Sequence, residues 1–140
     1  MSEATAQPDE EAESRPLSVI VLAILCGVAL VLAVVHLLQA LAIVPYFIGP
    51  IAIHDFNWWY SLMWISMIWL WSAAIRAVWT LDTSAPWFVL IVAGFNVLFD
   101  FSTMALSPNG TTDLSASFIV SLAIFGFAIL PSTKHAFAVD

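Results

Sequence analysis

The chain has 140 residues and a mass of 15.3 kDa; 62% of its residues are hydrophobic, 9% are charged, and the mean hydropathy is +1.00. A soluble domain carries roughly 25% charged residues, so this composition excludes an ordinary water-exposed globule and points to lipid as the solvent. The single cysteine, Cys26, excludes an intrachain disulfide framework, a paired-cysteine redox motif and a Cys-based zinc site. The only basic residues, Arg15, Arg76 and Lys134, form no basic patch, which excludes nucleic-acid binding.

Residues 1–16 carry Glu3, Asp9, Glu10, Glu11 and Glu13 against Arg15 alone, with no apolar periodicity, and read as a disordered acidic tail. An acidic leader of this kind lacks the basic start of a secretory signal, so the tail is expected to stay attached. The first apolar span, 17–44, holds no formally charged residue. Ser14 and Pro16 suit its start and Pro45 its end. At ~1.5 Å per residue it exceeds the ~20 residues that a crossing needs, so it tilts or protrudes.

The loop 45–57 is itself apolar and is punctuated by Pro45, Gly49 and Pro50. Exposed to water it would be a sticky patch, so it is expected on the lipid surface, folded back into the bundle, or against another chain. A second span covers 58–81, a third 86–106 with Ser84 as cap and Pro86 in the first turn, and a fourth 113–130 that stops at Pro131. Residues 132–140 read as a short tail. Backbone polar groups find no water in hydrocarbon, so every span is expected to be helical. The predicted fold is an all-α integral membrane protein: a four-transmembrane-helix up-down bundle with short antiparallel connections.

Four crossings put Arg15, Arg76 and Lys134 on one side, while the loops 45–57 and 107–112 hold no lysine or arginine. The positive-inside rule then predicts both termini in the cytoplasm of a multi-pass cell-membrane protein. Trp58 and Trp59 fall at the outer interface, Trp79 and Trp87 at the inner one. Arg76 lies near enough to the inner headgroups to snorkel, with Asp82 as an interfacial partner. Asn109-Gly110-Thr111 in the second outer loop matches a glycosylation sequon but reads as a plain turn.

Asp100 is the one carboxylate well inside a span, a costly position that marks a candidate site by default. Asn96, Asp100 and Thr103 are spaced i, i+4, i+7 on one helix face; His36 and Gln39 are spaced i, i+3 on one face of the first span. Both groups fall in the outer half, so a His36–Asp100 hydrogen bond is geometrically feasible. The bland reading, polar side chains that merely hydrogen-bond between helices for ~0.6 kcal/mol each, is the favoured one. His54 and Asp55 in the outer loop are further polar candidates, but the spacing matches no metal signature and no metal is expected.

Trp64, Trp69 and Trp71 with Phe95, Phe99 and Phe101 load the second and third spans with aromatic surface. Such surface suits lipid packing and equally a quinone, haem, pigment or other apolar ligand. Small residues mark close helix contacts: Ala29 with Ala33, Ser117 with Ser121, and Ala93 beside Gly94. The segment WFVLIVAGF…DFSTM, residues 87–104, resembles the phenylalanine-bearing third span of the small fluoride channels over about an eighth of the chain. That family's glycine-rich first span with its arginine, and its second-span asparagine, have no counterpart here, so no fluoride pore is expected. A retinal protein needs a membrane lysine and a small multidrug exporter a first-span glutamate; neither is present. The acidic tail and scarce basic residues resemble proteins of salt-loving prokaryotes.

No nucleophile, acid–base pair or phosphate loop lies where water reaches it, so an enzyme is not expected. The leading expectation is an accessory or structural subunit of a homo- or hetero-oligomeric membrane complex. The alternatives are a small ion, proton or solute transporter or channel built on Asp100, Asn96 and His36, and a cofactor-holding membrane subunit. No cofactor is required by the sequence.

Overall fold

A computed structural model describes residues 16–44, 58–106 and 115–137. Helices make up 88% of them, and no strand occurs among the described residues. In chain order they are α1 (Leu17–Ala40), α2 (Trp58–Trp79), α3 (Ala85–Leu106), α4 (Ser115–Ala128) and a short α5 (Pro131–Phe137). The acidic tail to residue 15, the loop 45–57 with His54 and Asp55, and the 107–114 connection with its sequon lie outside the described residues.

The helix ends follow from local chemistry. Pro16 opens α1: its carbonyl accepts the N–H of Val19 at 3.0 Å and of Ile20 at 3.3 Å, with no side-chain cap. The helix stops at Ala40, short of the expected 17–44. Ala42 turns to φ 59°, its N–H bonds the Gln39 carbonyl, and the Ile43 N–H reaches back to Leu38. This is a Schellman closure, with alanine where glycine is usual. Leu81, at φ 57°, closes α2 in the same way through Leu81 N–H to Val78 and Asp82 N–H to Ala77.

Asp82 does not serve Arg76 as the sequence suggested. Its Oδ1 accepts the Ser84 backbone N–H at 2.9 Å and the Ser84 hydroxyl at 2.7 Å, which forms the tight turn into α3. Those two donors, the backbone N–H foremost, hold the exposed Asp82 carboxyl below the usual aspartate range. The first turn of α3 starts with the Phe88 N–H on the Ser84 carbonyl, and Pro86 sits in that turn, where a missing N–H costs nothing.

The fourth span differs most from expectation. α4 ends at Ala128 rather than at Pro131, and Pro131 starts α5, which is bent 70° away from α4. A proline is well suited to a first helical position, and the Leu130 carbonyl caps the new helix by accepting from Thr133 and Lys134. Residues 131–137 are therefore a docked helix and not part of a loose tail: Thr133 and Phe137 are buried.

The core is a set of narrow seams. α1 buries Val19, Leu22, Cys26, Ala29, Ala33, His36 and Ala40 in alternating steps of three and four. α2 contributes Ser61, Trp64, Met67, Trp71, Ala74 and Val78, and α4 contributes Ser117, Ser121, Ile124 and Ala128. This spacing is that of knobs-into-holes packing. α1 packs chiefly on α2 and α3 chiefly on α4, while α1–α4 and α2–α3 contacts close a ring that α5 abuts from one end. The small residues expected at helix contacts, Ala29, Ala33, Ala93, Ser117 and Ser121, are all buried.

Large apolar side chains dominate the surface outside the seams, with Trp69 at 70%, Ile91 at 67% and Leu98 at 68% exposed. Three helices, α1 to α3, are long and apolar enough to cross a membrane, and the bent α4–α5 pair is a fourth candidate.

Candidate functional site

The site is built on the face of α3 that points into the ring. One helical turn separates Asn96 from Asp100, so both side chains leave the same face. Asn96 Nδ2 donates to Asp100 Oδ2 at 2.7 Å. The Ser117 hydroxyl, in the first turns of α4, donates to the same Oδ2 at 2.7 Å and accepts from Asn96 Nδ2 at 3.2 Å. From α2, the Trp71 indole N–H donates to Asn96 Oδ1 at 3.2 Å. Three helices are thereby tied through one asparagine. All four side chains are buried, and Asp100 has no exposed surface at all.

A second polar pair stands on α1. His36 Nδ1 lies 2.9 Å from Gln39 Oε1. An amide oxygen can only accept, so Nδ1 carries the proton and Nε2 is left with its lone pair. The His36 ring packs on Trp64 of α2, centroid to centroid 4.6 Å with a 33° tilt. Trp64 in turn meets Phe99 of α3 edge-on at 6.0 Å. The indole thus stands between the α1 pair and the stretch of α3 that carries Asp100.

The expected groups are therefore brought together in part. Gln39 pairs with His36 and Asn96 with Asp100, as their spacings implied. The direct His36–Asp100 hydrogen bond does not form: His36 turns its bonded nitrogen to Gln39, and Asp100 its bonded oxygen to Asn96 and Ser117. Thr103 does not join the network either. Its hydroxyl bonds the Phe99 carbonyl of its own helix at 3.0 Å, a back-bond that a threonine makes wherever no neighbour offers better. His54 and Asp55 lie outside the described residues.

The spans' aromatics separate into two roles. Trp64 and Trp71 are buried, whereas Trp69, Phe95 and Phe101 face outward. Three members of the site were not anticipated as such: Trp64, Trp71 and Ser117. The heptad step between the two tryptophans, which places both on one face of α2, was the signal for the first two. Ser117 was legible as a small packing residue, and its hydroxyl is what the site uses.

Three atoms of this region are buried without a hydrogen-bond partner: His36 Nε2, Trp64 Nε1 and Asp100 Oδ1. Such groups are rare, and each has a physical reason where it occurs. Among the described residues no group of three or more His, Cys, Asp or Glu side chains is placed to hold a metal ion. At the other end of the ring Lys134 of α5 lies over the Trp87 ring of α3, 5.7 Å from its centroid. That contact is a cation–π anchor between the short helix and the bundle. No family model matches the chain, and neither the curated proteins nor the solved structures yield a match.

Proposed function

We propose that the protein is a four-span integral membrane protein that serves as an accessory or structural subunit, assembled with itself or with a larger complex in the cell membrane. The observation that carries this reading is the apolar girdle. Large side chains such as Ile24, Val31, Trp69, Ile91, Leu98 and Ile119 are exposed on all four long helices. A soluble monomer rarely exposes an apolar patch above a few hundred Å². Lipid and partner helices are the surroundings that such a surface tolerates. The interior polar groups, by contrast, largely bond one another across α2, α3 and α4, which suits a clamp more than an open path.

The topology belongs to the same reading. α4 alone, with 14 residues, reaches about 21 Å at 1.5 Å per residue, short of the ~30 Å hydrocarbon core. On this reading the bent α5, Pro131–Phe137, lies at the inner interface, at the end of the bundle where Lys134 meets Trp87. Both termini lie in the cytoplasm on this arrangement, as the positive-inside rule asks. Blue-native electrophoresis of gently solubilised membranes tests the assembly: a species larger than one chain is expected, and a purely monomeric one refutes it. Reporter tags on the two ends test the topology, which fails if they become accessible from opposite compartments.

A second reading, a small ion, proton or solute transporter or channel using Asp100, Asn96 and His36, is favoured by one observation. Asp100 is wholly buried inside the ring, where an ionisable group is expensive and commonly functional. Replacing Asp100 by Asn then abolishes flux in proteoliposomes while leaving insertion intact; unchanged flux removes this reading.

A further inference from the structure

Lys134 is a cation without a counter-charge among the described residues. It lies on α5, which turns Thr133 and Phe137 into the bundle and leaves Lys134 exposed. Its ammonium sits over the Trp87 ring, 5.7 Å from the centroid, and no described carboxylate pairs with it. An indole face satisfies one side of an ammonium, whose three N–H donors still call for acceptors. Asp82, the carboxylate in the turn ahead of α3, already accepts the Ser84 backbone N–H and hydroxyl.

Trp87 also heads an apolar stripe. Trp87, Ile91, Phe95 and Leu98 are each more than half exposed, and their steps of four, four and three keep them on one face of α3. At ~1.5 Å per residue the stripe runs about 16 Å from Trp87 to Leu98. That is about half of the ~30 Å hydrocarbon core, the depth of one leaflet. An unpaired cation thus stands at the head of an apolar track as deep as a single acyl layer.

We propose that Lys134, Trp87 and the stripe below them form a binding site for one anionic phospholipid of the leaflet at that end of the bundle. The lipid phosphate accepts from the Lys134 ammonium, the indole holds that ammonium at the interface, and an acyl chain lies along Ile91, Phe95 and Leu98. A zwitterionic headgroup brings a cation of its own that offsets the attraction, whereas a net anionic one does not. Arg76, exposed in the last turn of α2, is at the same end because only residues 80–84 separate α2 from α3. It is outside the site: α5 packs on α1, α3 and α4. This inference rests on the membrane reading above, and the test separates the two.

The full chain in mild detergent is titrated with phosphatidylglycerol or with phosphatidylcholine of identical chains, and bound lipids are counted by native mass spectrometry. Wild type is expected to bind one phosphatidylglycerol in preference to phosphatidylcholine. Lys134→Gln should weaken that binding about fivefold, the factor for one basic residue at an anionic surface, while Lys134→Arg and Arg76→Gln should keep it. Thr133 and Phe137, which dock α5, are untouched in every variant. Equal binding of the two lipids by wild type overturns the proposal, as does an equal loss in Arg76→Gln, which would mean diffuse attraction to the whole end of the bundle. Displacement of the lipid by an equal concentration of glycerophosphoglycerol, the headgroup without chains, overturns the role of the stripe. Binding that appears only after removal of residues 2–13 would make the chain's own acidic segment the partner of Lys134, and overturns the lipid. A chain that carbonate washing releases from vesicles fails the membrane reading; one that is retained but shows no lipid preference fails this inference alone.

Discussion

Asn96 is the member of the bundle whose removal should be felt most widely. It accepts from Trp71 of α2, donates to Asp100 one turn along α3, and donates to Ser117 of α4. Asn96→Ala deletes all three bonds from a side chain that is 2% exposed. The two interhelical bonds contribute ~0.6 kcal/mol each by the average for membrane bundles. The bond to Asp100 adds ~0.5–1.5 kcal/mol as an ordinary net hydrogen bond and more if the carboxyl is ionised. Together these put the loss at roughly 2–3 kcal/mol, a large fraction of a typical stability. The assay is reversible unfolding in mixed micelles by titration with a denaturing detergent, read by tryptophan fluorescence. A double-mutant cycle with Trp71→Phe isolates the α2–α3 link and should return a coupling near ~0.6 kcal/mol. A total loss under ~0.5 kcal/mol, the range of an ordinary surface change, together with zero coupling, would refute the assignment of Asn96 as the tie between three helices.

Four further outcomes follow from the same geometry. Thr103→Val should stay within ~0.5 kcal/mol of wild type in that assay, because the hydroxyl bonds only its own helix. Ala42→Gly should raise stability by roughly 0.5–1 kcal/mol, since the exposed alanine sits at φ 59° where glycine is free of strain. A bulky maleimide should label Cys26 only after denaturation, because its thiol has no exposed surface in the α1 seam. The Asp82 turn depends on an ionised carboxyl held below its ordinary range by Ser84. Its contribution is present in full above the ordinary aspartate value and is lost as pH falls through the lowered folded value. Protection of the Ser84 amide, its exchange rate relative to the intrinsic rate at each pH, should therefore fall on acidification through that value, and Asp82→Asn should remove this change in protection.

Much of the helical architecture was legible because one force dominates it. An uncharged run such as 17–44 has no stable alternative to a helix in an apolar medium, and the structure supplies α1 over most of that run. Boundaries were harder to read wherever the backbone, not the side chain, decides. Ala42 and Leu81 enter the left-handed region without being glycine, so no residue type announced that α1 would end before Pro45. Pro131 was read as a stop although the same ring geometry makes it a good first residue of a new helix. A proline after an apolar run is ambiguous between the two, and only the docking of Thr133 and Phe137 resolves it.

The candidate site shows the complementary limit. Periodicity assigns residues to faces, and it paired Asn96 with Asp100 and His36 with Gln39 because those partners share a helix. Partners on different helices depend on axial stagger, which a single sequence does not encode locally. Across helices Asp100 bonds Ser117 of α4 through Oδ2 instead of His36 of α1, and the reason is visible in the packing. The bulky Trp64 indole fills the space between α1 and the Phe99 segment of α3, while Ser117 is small enough to let α4 approach α3 closely. Size, more than polarity, therefore selects which polar groups meet. A smaller residue at 64 should let α1 close on α3 and bring His36 toward Asp100, so Trp64→Ala should strengthen the coupling between those two groups even as it costs ~3–5 kcal/mol of packing. A Trp64→Ala protein in which an added His36→Gln change had no effect on stability would show that stagger, and not the indole, keeps the two apart.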